Sequence, residues 1–146
     1  MDHKDISRRD VLRYGAAIGA ATACAGCIPG GSRKADVVAE PQAGTLLLSE
    51  AESAGLTEPD SSLLVSVEGE REKILVIHTR GVLHAVSSRC THLGCDVLYD
   101  RDAAMIVCPC HKSQYALDGS NLTGPAKQPL RRYIAIRRQG RVVVTL

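Results

Sequence analysis

The chain has 146 residues, with 18 Lys and Arg against 16 Asp and Glu, 45% hydrophobic residues, four Tyr, and neither Phe nor Trp. That length suits one domain whose core is built from Val, Ile, Leu and Ala, a mix that leans towards strands. A net charge of +2, with dispersed cations and no aromatic platforms between them, excludes a nucleic-acid-binding surface, while six Cys point to a disulfide framework or a metal site.

At the N-terminus, Ser7-Arg8-Arg9-Asp10-Val11-Leu12 is followed by a small and apolar run over residues 14–28 that carries no charge. This resembles a twin-arginine export signal, which implies delivery of an already folded domain to the periplasmic side of a bacterial inner membrane. The run falls short of the roughly 20 residues that a membrane span needs, so a cleaved signal is expected rather than a permanent helix. Cys24-Ala25-Gly26-Cys27 resembles a lipobox with Cys27 as the lipidated residue, although Cys24 stands where an aliphatic residue is usual and is itself a second choice. Lipidation would leave the protein attached to the membrane.

Residues 29–44 hold Pro, Gly, Ser and scattered charge without periodicity, and read as a flexible linker. The domain proper is expected over residues 45–146. Thr45 to Ser49 reads as a first strand, and residues 50–61 as a loop or short helix broken by Gly55, Pro59 and Asp60. Leu63 to Val67, Ile74 to Ile77 and Val82 to Val86 follow as three antiparallel strands. Val97 to Tyr99 and Ala103 to Val107 then predict a hairpin, Tyr115 to Leu117 a further strand, and Ile134 to Ile136 with Arg141 to Leu146 a terminal hairpin across Gln139-Gly140. The fold class is all-β, a small antiparallel barrel or sandwich.

Two boxes frame the predicted hairpin: Cys90-Thr91-His92-Leu93-Gly94-Cys95 and Cys108-Pro109-Cys110-His111. They supply four thiols and two imidazoles, and a centre with N and S donors takes four protein bonds. One division gives each loop one thiolate and one imidazole and leaves Cys95 and Cys110 over, a pair that could close a disulfide. A structural zinc site uses the same donors at similar spacings, and iron content with visible absorption separates the two.

Over residues 62–146, the chain resembles Rieske proteins, and specifically the high-potential iron-sulfur subunits of quinol-oxidising cytochrome bc complexes. The resemblance implies a [2Fe-2S] cluster with Cys90 and Cys108 on one iron and His92 and His111 on the other, and a Cys95–Cys110 disulfide. It also implies hydrogen bonds from Ser113 to a bridging sulfide and from Tyr115 to a ligand thiolate. His111 would meet the quinol, with His92 sharing the proton-coupled chemistry, and Leu93 would shape an apolar docking surface. Gly124-Pro125-Ala126 with Pro129 resembles the family's proline-rich loop over a third side of the cluster.

Neutral imidazoles in place of two thiolates ease reduction, to roughly −150 to +300 mV against about −400 mV for plant-type ferredoxins, and hydrogen bonds to sulfur push the same way. Lys112 departs from the family pattern, since Gly usually follows the second His. His78 and His84 read as ordinary strand residues. Three functional settings are open: the iron-sulfur subunit of a quinol:cytochrome c type complex, with quinol as donor and a haem protein as acceptor; a stand-alone lipid-anchored carrier; and the small subunit of an exported molybdenum oxidoreductase such as arsenite oxidase.

Overall fold

The computed structural model describes residues 35–146, so the export signal, the lipobox with Cys27 and the first part of the linker lie outside the described residues. Among the described residues there are twelve strands: β1 (Val37–Ala39), β2 (Pro41–Gln42), β3 (Thr45–Leu48), β4 (Ser61–Val67), β5 (Lys73–Thr79), β6 (Val82–Ser87), β7 (Leu98–Asp100), β8 (Met105–Val107), β9 (Gln114–Tyr115), β10 (Asn121–Thr123), β11 (Arg132–Arg138) and β12 (Arg141–Thr145). One 3-10 turn, Ala54–Leu56, joins β3 to β4. No helix among the described residues is long and apolar enough to cross a membrane.

Eight strands form one sheet in the order β1-β4-β5-β6-β11-β12-β3-β2. Its two edge strands, β1 and β2, are separated in the chain by Glu40 alone. The sheet must therefore curl until its edges meet, which makes it a near-barrel and leaves little edge open. β1 pairs with β4 in parallel, Val37 opposite Val65, and the other strand pairs are antiparallel. Residues 37–42, placed by sequence in the linker, are thus ordered strands. The physical reason is non-local: Val37 and Ala39 pack on the barrel core, and Asp36 accepts a 2.8 Å hydrogen bond from the Leu64 N–H.

A smaller sheet, β10-β9-β8-β7, is inserted between β6 and β11. β4 and β5 are buried on both faces, which explains their unbroken apolar runs. Leu63, Val65, Ile74 and Val76 point into the barrel core, whereas Leu64, Leu75, Ile77 and Val86 meet Val97, Ile106, Tyr115 and Leu130 of the insertion. The second core also holds Cys90 and Cys108, so the candidate ligands are anchored by packing against the barrel wall.

Candidate metal centre

The two Cys/His boxes flank the β7–β8 hairpin at its open end, far from its turn. The first lies in the loop from β6 to β7, closed at its base by an antiparallel bridge between Arg89 and Asp96; the second joins β8 to β9. Both fold in the same way. Cys90 N–H donates to the Cys95 carbonyl at 2.8 Å, and Cys108 N–H to the Ser113 carbonyl at 2.8 Å. The return bonds also match, from Gly94 N–H to Cys90 O at 2.9 Å and from Lys112 N–H to Cys108 O at 3.0 Å.

Each turn needs a left-handed residue at its fifth position, filled by Gly94 (φ +79°) in one loop and Lys112 (φ +60°) in the other. The Lys departure therefore leaves the turn intact, at a cost of roughly 1–2 kcal/mol for a side chain in that region. The symmetry extends to the thiols. Cys90 Sγ accepts backbone N–H bonds from His92 and Leu93, and Cys108 Sγ from Cys110 and His111, two and three residues on in each case. Paired N–H donors are suited to sulfur that carries negative charge.

Cys95 and Cys110 form a disulfide that ties the two loops together, leaving Cys90 and Cys108 as buried free thiols. The Sγ atoms of Cys95, Cys108 and Cys110 lie within 4.8 Å of one another, but the disulfide removes Cys95 and Cys110 as thiolate donors. Of the three, Cys108 alone keeps a free thiol able to donate. Cys90 and Cys108 are within hydrogen-bond reach, and the His92 and His111 rings meet edge to face with centroids 4.7 Å apart. His92 Nδ1 is buried without a hydrogen-bond partner, which is an unexplained cost unless that nitrogen binds something. Two buried thiols, two converging imidazoles and an orphaned ring nitrogen fit a cluster with mixed Cys and His ligation.

The surroundings distinguish the two thiols. Burial opposes ionisation of Cys90, but the Tyr115 hydroxyl at 3.3 Å, with the backbone donors, outweighs it and lowers the pKa below the usual thiol value. For Cys108, burial dominates, the neighbouring Cys90 adds to it, and the pKa rises. Tyr115 is itself raised, first by burial and then by its bond to Cys90. Its hydroxyl also lies 3.1 Å from Thr91 Oγ1, which donates to the Gln128 carbonyl at 2.7 Å. Thr91 was not singled out from sequence; its place beside Cys90 was the available signal.

Ser113 is fully buried, and its Oγ accepts a 3.1 Å bond from the Ala126 N–H of the proline-rich loop. The two segments touch at Gly124 (φ +97°), where a Cβ would stand 2.5 Å from Ser113 Cα. Behind the first box, Asp96 joins Lys73 at 2.7 Å and accepts from Ser88 Oγ at 2.9 Å, fixing that loop to β5. At the tip, Leu93 is 69% exposed and His111 is also exposed. His78 and His84 lie on β5 and β6, away from the boxes.

The profile of a family described as "Rieske [2Fe-2S] domain" matches residues 50–134. The cytochrome b6-f complex iron-sulfur subunit of Chlorobaculum tepidum is 44% identical over 75 residues, which cover 51% of this chain and 41% of that protein. Its counterpart from Gloeobacter violaceus is 40% identical over 75 residues, covering 50% and 40% respectively. The chain thus spans about two-fifths of the length of these curated relatives. Among solved structures, the plasma membrane Rieske protein of Synechocystis PCC 6803 superposes with a TM-score of 0.52 at 29% identity, over 58% of this chain and 86% of that one. The ferredoxin of carbazole 1,9a-dioxygenase from Nocardioides aromaticivorans, at 20% identity and a TM-score of 0.53 over 60% of this chain and 86% of that one, shares the fold.

Proposed function

The chain belongs to the Rieske [2Fe-2S] domain family, whose domain binds a [2Fe-2S] cluster and transfers electrons, and from that premise we propose that it is the high-potential iron-sulfur subunit of a quinol-oxidising cytochrome complex. In this reading Cys90 and Cys108 hold one iron, and His92 and His111 hold the other. The observation that carries it is the convergence at one tip of two loops with matched turns, each bringing one buried free thiol and one imidazole. The curated relatives named as cytochrome b6-f iron-sulfur subunits support the assignment to a cytochrome complex.

When bound, the cluster supplies a one-electron couple whose imidazole ligands tie electron uptake to proton uptake. The chain's own residues set the conditions for it. The disulfide holds the loops at a fixed separation, and the buried second core excludes water from the thiols. Tyr115 offers its hydroxyl proton towards the Cys90 sulfur, which favours the more negative reduced state, and in this reading the Ser113 hydroxyl, whose Oγ accepts from the Ala126 N–H, gives its own proton to a bridging sulfide. His111 and Leu93 are both exposed, and in this reading they supply the hydrogen-bond partner for a quinol hydroxyl and an apolar contact for its ring. Delivery by the twin-arginine route to the periplasmic face is supported by the pattern over residues 1–28. The Cys27 box favours a second reading, a stand-alone carrier held at that face by lipid.

The test is an EPR-monitored redox titration of the purified holoprotein as a function of pH, with metal analysis. A Rieske-type reduced spectrum and a positive midpoint that falls at alkaline pH are expected. A colourless protein holding one zinc, or a strongly negative and pH-independent midpoint, rejects the proposal. Purification from native membranes then identifies the setting: cytochrome b alongside it supports the complex, a molybdopterin subunit or no partner points to the other settings.

A further inference from the structure

Three loops crown the candidate centre, residues 88–95, 108–113 and 124–131, and together they carry four cations, Arg89, Lys112, Lys127 and Arg131, and no carboxylate. All four are exposed, and none forms an ion pair; among the described residues the ion pair is Lys73 with Asp96. Two carboxylates, Glu70 and Glu72, stand nearby, both beside Arg131, whose guanidinium lies 4.9 Å over the Tyr133 ring. Glu72, hydrogen-bonded to the Ser87 hydroxyl, lines the cleft of about 650 Å³ that separates Arg89 from Arg131. Glu70 and Glu72 together offset two of the four charges, and the crown stays net cationic through the other two.

The opposite end of the insertion has the reverse sign. Asp100 and Asp102 occupy the β7–β8 turn, and Arg101 Nε donates to the Asp60 carbonyl at 2.6 Å, which brings the segment with Glu58 and Asp60 beside that turn. Four carboxylates there face two cations, Arg80 and Arg101. The chain's near-neutral total charge therefore hides a polarity, positive at the tip where electrons would leave and negative behind it. Lys112 is the residue next to His111, so its charge lies inside the Debye length of about 10 Å that applies at 0.1 M salt. An apolar contact bordered by charge is the anatomy of a transient docking surface: Leu93 and Pro129 supply the first, and Arg89, Lys112 and Lys127, none of them in an ion pair, the second.

We propose that this collar docks an acidic soluble redox protein, one that presents carboxylates around its own electron-entry edge. The inference rests on the electron-transfer reading above. In the step it serves, one electron leaves this domain, one enters the partner's metal centre, and no bond forms or breaks. The unbalanced cations select the partner by sign, and the dipole orients this domain with its tip foremost during encounter.

Two readouts test it on the intact holoprotein. In stopped flow, oxidation of the reduced protein by the anion ferricyanide should slow roughly tenfold between about 10 mM and about 300 mM salt, whereas oxidation by the cation tris(phenanthroline)cobalt should speed up. In calorimetry, the oxidised protein should bind an acidic c-type cytochrome at low salt and not a basic one. Lys127→Glu, at an exposed loop position, should weaken both effects, and Lys127→Glu with Arg131→Glu should weaken them further. Arg80→Glu at the other end should change neither. An intact cluster spectrum combined with salt-independent rates, or a preference for the basic cytochrome, overturns the proposal; preference for neither would assign the tip to an apolar membrane subunit instead. Loss of the Rieske EPR signal from the wild-type protein would sink the electron-transfer reading alone, because the calorimetric preference is read without electron flow.

Discussion

Replacing Tyr115 with Phe removes one oxygen from a site where the protons can be counted. A carbonyl only accepts, so Thr91 Oγ1 gives its proton to Gln128 O at 2.7 Å. The Tyr115 hydroxyl, 3.1 Å from Thr91 Oγ1 and 3.3 Å from Cys90 Sγ, then holds one proton that faces two acceptors. A hydrogen bond to a charged group contributes about 1.5–3 kcal/mol. The bond exists in both redox states, and only its strengthening on reduction moves the midpoint. If roughly half of it is redox-dependent, the difference is about 0.8–1.5 kcal/mol, or a fall of about 35–65 mV at 59 mV per tenfold for one electron. Voltammetry on the holoprotein reads this directly, and the Phe ring keeps the buried volume filled. Thr91→Val is the counterpart: it leaves the Tyr115 proton to Cys90 alone, so the midpoint should hold or rise. An unchanged or raised midpoint in Tyr115→Phe, with the cluster spectrum intact, would refute the reasoning.

Lys112→Gly relieves a left-handed side chain but enlarges the unfolded ensemble, so a net gain of up to about 1 kcal/mol is expected in urea denaturation. Gly124→Ala places a Cβ 2.5 Å from Ser113 Cα at φ +97°, and should lower both the unfolding midpoint and cluster occupancy, measured as iron per chain. Ser113→Ala strands the buried Ala126 N–H, at a cost of about 1–3 kcal/mol in thermal unfolding, and should also lower the redox midpoint. Burial lowers the pKa of His84, with Asp118 opposing and Arg132 assisting, so the folded protein binds this proton less readily than the unfolded chain does. Its contribution is fully present above the unfolded value near 6.5 and is lost as pH falls through the lower folded value. Urea midpoints taken across that window should decline, and His84→Gln should flatten the decline.

The central strands were legible because local pattern and global burial agree there. Leu63 to Val67 and Ile74 to Ile77 are apolar runs, and the structure buries both faces of each. The boxes were legible because metal chemistry fixes residue type and spacing within one loop. β1 was missed because three residues beside a Gly- and Pro-rich stretch carry no periodicity; it is Val65, across the parallel pairing, that makes Val37 a strand residue. Asn121–Thr123 was missed for the same reason, since its partner strand β9 has only two residues.

For this protein, composition and spacing by themselves determined an all-β class, the two Cys/His boxes, and the residues able to donate to a metal. The Cys95–Cys110 bond was implied by family resemblance, and the structure pairs those two residues. Tertiary structure alone decided that the Tyr115 hydroxyl faces the Cys90 sulfur, that Lys112 can occupy the turn built for glycine, and that three loops carrying cations and no carboxylate meet around the boxes. Those outcomes depend on distances between segments far apart in the chain, such as Thr91 to Gln128 and Gly124 to Ser113, which no local pattern encodes.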